Sequence, residues 1–260
     1  MYTGLYAAVS GSMAQEKRLA VLTNNLVNAS TAGFKTDTPV FQVSPLPVII
    51  GPVALPGSAH SVVASLDPLQ GRHSTQQQLF TVQTDFSQGS IRHTGNPLDL
   101  ALEGEGFFVV EGPQGEAYYT RQGTFSLNTE GVLVTPNGRP VQGESGPLRV
   151  RGGRLEIDAT GRVLVDGKVL DRLKLVDFPQ PYPLEKVGES LFRTTVPDPA
   201  EQEVTGLVVH QGAIELSNAQ PMRLLADVLQ TSRAYEVYQK VIQAFDATAS
   251  RAVNDIANTR

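Results

Sequence analysis

Apolar side chains recur in steps of three and four at both ends of the chain. Near the amino terminus the series is Leu5, Ala8, Ser12, Gln15, Leu19, Leu22 and Leu26, the spacing of a helical seam that packs against another helix. Ser12 and Gln15 weaken it, and Gly4 and Gly11 each cost about 1 kcal/mol relative to alanine inside a helix. A helix this marginal on its own needs a partner. The carboxyl end carries the same alternation through Leu224, Val228, Thr231, Tyr235, Tyr238, Ile242, Phe245, Ala249, Ala252 and Ile256. Ser217 with Gln220 fits a capping box and Pro221 fits a first helical turn, which predicts a helix from near Asn218 almost to Arg260. Such a helix spans on the order of 60 Å, more than one small domain covers. Its aromatic face therefore predicts a core shared with a second helix or with another molecule.

Between the ends the period changes. Residues 36–68 hold six prolines, among them Pro39, Pro45 and Pro68, with few charges, and predict an extended connector. From about Leu98 to Leu216, short apolar or alternating runs (LDLAL, GFFVV, TFSL, GVLVT, RLEI, RVLV, LKLVDF) are punctuated by Gly-rich turns such as NTEG, TPNGR, ATGR and VDGK. That pattern predicts an all-β barrel or sandwich. The expected fold class is α+β, with an all-β central domain inserted between N- and C-terminal helices that form a coiled coil. The expected boundaries are an assembly helix at 1–35, a proline-rich connector at 36–90, the β domain at 91–216 and an assembly helix at 217–260 that pairs with the first.

Composition narrows the function mainly by exclusion. A 260-residue chain with 40% hydrophobic content is globular, and its net charge of −5 is mixed without the basic stripe that nucleic acid or anionic lipid requires. The lack of cysteine excludes disulfides, thiolate metal sites and cysteine nucleophiles. No basic segment precedes an apolar core at the amino terminus, so no cleaved secretory signal is expected; no run reaches the roughly 18 apolar residues of a membrane span, so a soluble protein is expected. His60, His73, His93 and His210 lack metal-ligand spacing, GEGFFVVEG at 104–112 lacks the third glycine of a dinucleotide loop, and GESG at 143–146 is no nucleophile elbow. Glu103, Glu105, Asp158 and Asp166 sit beside turns, where carboxylates serve turn geometry and solubility more often than acid catalysis. Asn28-Ala29-Ser30 spells a glycosylation sequon, but at a helix end. These features predict a protein that is not an enzyme, with no catalytic residues, cofactor or metal. A peptidoglycan-acting enzyme and an adhesin on a helical stalk are the rival readings.

LTNNLVNASTAGFKTD at 22–37 resembles the amino-terminal signature of the bacterial flagellar rod, hook and hook-associated axial proteins, with Val27 where alanine is commoner. GAIELSNAQPMRLLADVLQTSRAYEVYQKVIQAFD at 212–246 resembles that family's carboxyl-terminal signature, and GNPLDLALEGEGFFVVEGPQGEAYYTRQGTFSLNTEGVLVTPNGRPVQG at 95–143 resembles its β domain. Length and the compact β domain suit the proximal-rod and distal-rod types alike; GPLRV, LDRLKLVDF and FRTT look more like the proximal-rod type, while RAYE at 233–236 and GFFVV also occur in the distal-rod type. The resemblance implies a structural subunit of the flagellar basal-body rod, self-assembling through its terminal helices into the tubular drive shaft. It further implies passage through the flagellar type III export apparatus without a cleaved signal, and a place in the periplasmic rod among copies of itself and other rod subunits. The residues expected at the assembly interface are Leu19, Leu22, Asn25, Leu26, Asn28, Gly33, Phe34, Leu224, Val228, Tyr235, Tyr238, Ile242 and Phe245. Asn25 and Asn28 carry two expectations, closing orphan carbonyls at the helix end or bridging to the next subunit.

Overall fold

The computed structural model describes residues 2–43, 78–112, 114–196, 201–202, 204 and 206–257. Helix α1 (Tyr2–Val27) runs into a single 3-10 turn at Asn28–Ser30, and helix α2 (Pro221–Ala257) spans about 55 Å at the rise of an α-helix. The two helices pack side by side and antiparallel. On α1, Ala8, Ser12 and Leu22 are buried while Leu5, Gln15, Leu19 and Leu26 are half-buried. On α2, Leu224, Val228, Tyr235, Tyr238, Ile242 and Phe245 are half-buried, and Thr231, the polar member of the seam, is the most buried at 2% exposed. Ala249 is exposed, and the side chains of Ala252 and Ile256 lie outside the described residues.

The two glycines of α1 have a packing role that offsets their propensity cost. A Cβ on Gly4 would stand 2.9 Å from Phe245 Cζ, and one on Gly11 would stand 2.4 Å from Tyr238 Cε1. Glycine lets both rings lie directly on the α1 backbone. Gly11→Ala is therefore expected to lower stability despite a gain of about 1 kcal/mol in helix propensity. In a Tyr238→Ala background, where the ring is gone, the same change is expected to stabilise; urea unfolding followed by circular dichroism reads this reversal of sign.

Helix α2 starts at Pro221, with the Leu224 N–H donating to the Gln220 carbonyl at 3.0 Å. The expected capping box does not form, because Gln220 itself is the residue that precedes the helix. Ser217 Oγ instead accepts the Ala219 N–H at 3.1 Å, shaping the turn ahead of it. The expected connector also differs at its described ends. Alternating PVFQV and LFTVQT form the strands Asp37–Val43 and Gln78–Thr84, which pair with each other, and residues 39–83 make a separate compact unit. Pro45, Pro47, Pro52, Pro56 and Pro68 lie outside the described residues.

The β region is organised around the strand Phe107–Glu111, whose apolar run is continuous because both its faces are covered. Phe108 and Val110 enter one core with Leu100, Leu102, Leu133 and Val141, while Phe107 and Val109 enter a second, aromatic core with Tyr119, Phe178 and Phe192. This strand is the second of a five-stranded antiparallel sheet ordered 175–176, 107–111, 117–120, 191–194, 184–188. VDGK makes the two-residue turn it predicts, with Asp166 at φ 50° and Gly167 at φ 78°. The barrel or sandwich expectation is not matched by one large sheet: the described strands divide among seven sheets, five of them two-stranded, because turns interrupt the ladders so often. The last two strands, Val208–Gln211 and Ala213–Glu215, pair with Leu100–Glu103 and Ile91–His93. The Gly33 N–H donates to the Glu215 carbonyl at 2.8 Å, so α2 departs beside the segment that follows α1.

Candidate functional site

Three segments remote in sequence meet where the helices join the β region. Lys35 follows α1, Glu215 ends the last strand before α2, and Arg121 follows the strand Ala117–Thr120. Lys35 Nζ donates to Glu215 Oε1 at 2.6 Å and to the Ser87 carbonyl at 2.7 Å. Glu215 Oε1 also accepts the Gly89 N–H at 2.8 Å, and Oε2 faces Arg121 Nη1 at 3.4 Å. The three side chains are 1%, 0% and 4% exposed for Lys35, Glu215 and Arg121. Burial pushes the Lys35 pKa down, the Glu215 carboxylate opposes that shift, and Arg121 adds to it. Two cations share one carboxylate, so the surplus charge needs other partners. Arg121 Nη2 donates to the Gly104 carbonyl at 2.7 Å, and its guanidinium carbon lies 5.2 Å from the Phe107 ring centre.

Asparagines and a second lysine extend this clasp. Asn25, 2% exposed, donates from Nδ2 to the Asp37 carbonyl at 2.7 Å and accepts the Asp37 N–H on Oδ1 at 2.9 Å, treating that residue as a neighbouring strand would. Lys186 Nζ donates to Asp37 Oδ2 at 2.8 Å and to the Lys35 carbonyl at 2.6 Å, and sits 4.2 Å over the Phe34 ring. Burial lowers the Lys186 pKa, against the pull of Asp37. From the carboxyl side, Asn218 accepts the Thr36 N–H and donates to the Asp85 carbonyl, both at 2.8 Å. Asn28 Nδ2 donates to the Asn24 carbonyl at 2.9 Å, which closes a carbonyl at the end of α1.

The expected interface residues thus fall in two places. Leu19, Leu22, Leu26, Leu224, Val228, Tyr235, Tyr238, Ile242 and Phe245 lie along the inward faces of the helix pair, and Asn25, Asn28, Gly33 and Phe34 in the joint. A different set points outward: Tyr6, Val9 and Met13 on α1, and Met222, Leu225 and Leu229 on α2. Their signal was present as an i, i+3, i+7 spacing on each helix, hidden beneath the longer repeat. Lys35, Arg121, Lys186 and Glu215 have no role in the sequence-based expectation, and Asn218 enters it only as a helix start. Their only trace is a charge or amide set among apolar or small residues, as in GFK and IELSN.

The turn acids each serve a local contact. Glu103 bonds His210 at 2.6 Å, Glu105 accepts from Gln180 at 2.9 Å, Asp158 accepts from Arg162 at 2.7 Å within its own turn, and Asp166 accepts the Arg154 N–H at 2.9 Å. Among the described residues no group of three or more His, Asp or Glu is placed to hold a metal ion, and no helix is long and apolar enough to cross a membrane. His60 and His73 lie outside them.

Residues 5–35 match the family described as Flagella basal body rod protein, residues 101–202 the Flagellar hook protein FlgE/F/G D1 domain, and residues 210–255 the Flagellar basal body rod FlgEFG protein C-terminal region. The flagellar basal-body rod protein FlgG of Buchnera aphidicola is 32% identical, over 95% of this chain and 96% of its own length. The chain belongs to the flagellar basal-body rod proteins. FlgF of Caulobacter vibrioides is 32% identical over 93% of both chains, and FlgF of Salmonella typhimurium 29% over 95% of this chain and 96% of its own. The rod subunit is therefore of the FlgF/FlgG type and structural in role. Each matched stretch contributes one member of the buried charge cluster: Lys35 the first, Arg121 the second, Glu215 the third.

Proposed function

We propose that this rod subunit is a clasped helix pair that builds the tubular drive shaft through its outward helix faces. Its inner seam works as a coiled coil within the subunit, and the buried charge cluster sets the helices against the β domain. One observation carries this reading: Tyr6, Val9, Met13, Met222, Leu225 and Leu229 remain exposed on helices whose inward faces are already covered. The rod tube forms in the periplasm after type III export without a cleaved signal. An α1 weakened by Gly4 and Gly11, and a charge cluster that forms only when both ends of the chain meet, support passage as an unfolded chain. The subunit acts without catalysis, cofactor or nucleic acid, among other rod subunits and copies of itself.

Within the rod we place the subunit in the proximal segment, on the GPLRV, LDRLKLVDF and FRTT stretches. A distal position is the second reading, favoured by the similar identity to a FlgG protein. Leu229→Asp tests the outward-face function. Leu229 is 54% exposed, so folding stability is expected to change by about 0.5 kcal/mol or less, while incorporation into basal bodies and swimming are lost. Normal swimming would count against the outward face.

A further inference from the structure

We infer that the cavity between the end of α1 and the turn at Gly188–Ser190 holds an uncharged, extended peptide segment of a partner protein, gripped through its main chain by side-chain amides. This site is separate from the outward helix faces.

The cavity has a volume of about 270 Å³. That is small for a ligand pocket and suits a short segment. Asn24 near the end of α1, Gln122 after the strand Ala117–Thr120, and Asn137 in the TPNGR turn line it from three sides. Among the described residues, none of these three side-chain amides has a hydrogen-bond partner within the chain. Each can donate and accept at once. Elsewhere this chain uses the same group to hold backbone. Asn25 pairs with both the N–H and the carbonyl of Asp37, and Asn218 accepts the Thr36 N–H while donating to the Asp85 carbonyl. Three unused amides around one cavity therefore match the peptide groups of an extended chain, whose main-chain bonds supply affinity without a required side chain.

The rest of the lining argues against other ligand classes. Lys186 is taken by Asp37 and the Lys35 carbonyl, and Glu189 pairs with Arg139, so no unpaired charge is left to select an ion. Phe34 is buried with Lys186 Nζ 4.2 Å from its ring centre, so it presents no open face on which a sugar ring could stack. The turn wall is strained. Glu189 and Ser190 are both left-handed, with φ of 55° and 56°, in a two-residue hairpin turn that favours Asn-Gly. Ser190 lines the cavity with a hydroxyl-bearing side chain where glycine would fit the backbone more easily. Strain of this kind clusters at ligand clamps.

The test uses the isotope-labelled full-length protein, titrated with N-acetyl-triglycine N-methylamide and, separately, with N-acetylglucosamine. The peptide is expected to give saturable shifts in the side-chain amide signals of Asn24, Gln122 and Asn137. The amide of Asn96, already bonded to Asp99 at 3.0 Å, should not move. Asn24→Ala/Asn137→Ala is expected to weaken the peptide about tenfold and to keep the parent's unfolding midpoint, since neither amide has a partner within the chain to lose. If that variant unfolds early, Gln122→Ala repeats the comparison. No saturable shift with the peptide, saturation by the sugar alone, or unchanged affinity in a stably folded amide variant would overturn the site.

Discussion

Glu215→Gln is expected to cost on the order of 3–5 kcal/mol of folding stability, because it leaves two buried cations without their shared carboxylate. Lys35 and Arg121 are almost wholly buried, and among the described residues Glu215 is the one acidic group within ion-pair distance of either. Lys35→Met should cost less, about 1–3 kcal/mol, since Glu215 keeps Arg121 at 3.4 Å and the Gly89 N–H at 2.8 Å. Adding Lys35→Met to Glu215→Gln should recover part of the loss by removing one orphaned cation, a non-additivity expected for members of one network. Denaturant midpoints of the three variants give the order. If Lys35→Met proved the more damaging, the carboxylate would not be the centre of the clasp. The functional consequence follows from position: the cluster joins the segment after α1, the strand before α2 and the β region, so its loss releases both helices from the domain. Glu215→Gln is expected to fail in rod assembly even where the isolated chain still folds.

The parts of this fold that were legible in sequence are those set by local periodicity. Leu19, Leu22 and Leu26 recur at the helical step and face inward, and the GFFVV run is a strand covered on both sides. The clasp was not legible, because Lys35 and Glu215 are 180 positions apart and a charge in a short motif ordinarily means a solvated surface. Gly4 and Gly11 were visible as a propensity cost, but the rings that use the space come from α2. Ser217 and Gln220 had the letters of a capping box, yet the helix starts at Pro221, three residues later than a cap at Ser217 requires. The outward stripes are hard to read in the sequence for a related reason: on each helix a longer apolar repeat dominates the pattern. On the proposed reading, the shorter repeat is the one left for assembly once the longer one is satisfied within the chain.

Gly33→Ala should separate backbone strain from close approach when set beside Gly95→Ala. Both glycines have left-handed φ, +65° and +75°, but a Cβ on Gly95 meets nothing within 4 Å, whereas one on Gly33 would stand 2.3 Å from the Gln122 nitrogen and 2.4 Å from the Arg121 carbonyl carbon. Gly95→Ala is expected to cost about 1–2 kcal/mol, the penalty of a left-handed L-residue. Gly33→Ala carries that penalty plus about 1–3 kcal/mol of overpacking, because the opposing atoms are backbone and cannot rotate away. Nor can that backbone easily retreat. Arg121 is tied to Glu215 and to the Gly104 carbonyl, and the Gln122 N–H donates to Thr120 Oγ1 at 3.0 Å. The added methyl must therefore push the α1 segment off the clasp, lengthening the Gly33 N–H contact to the Glu215 carbonyl, now 2.8 Å. Unfolding midpoints of the two variants, with their incorporation into basal bodies, read both effects. Equal costs would mean that Gly33 is required only for its φ, and rods built normally from Gly33→Ala would mean that the clasp tolerates a displaced α1.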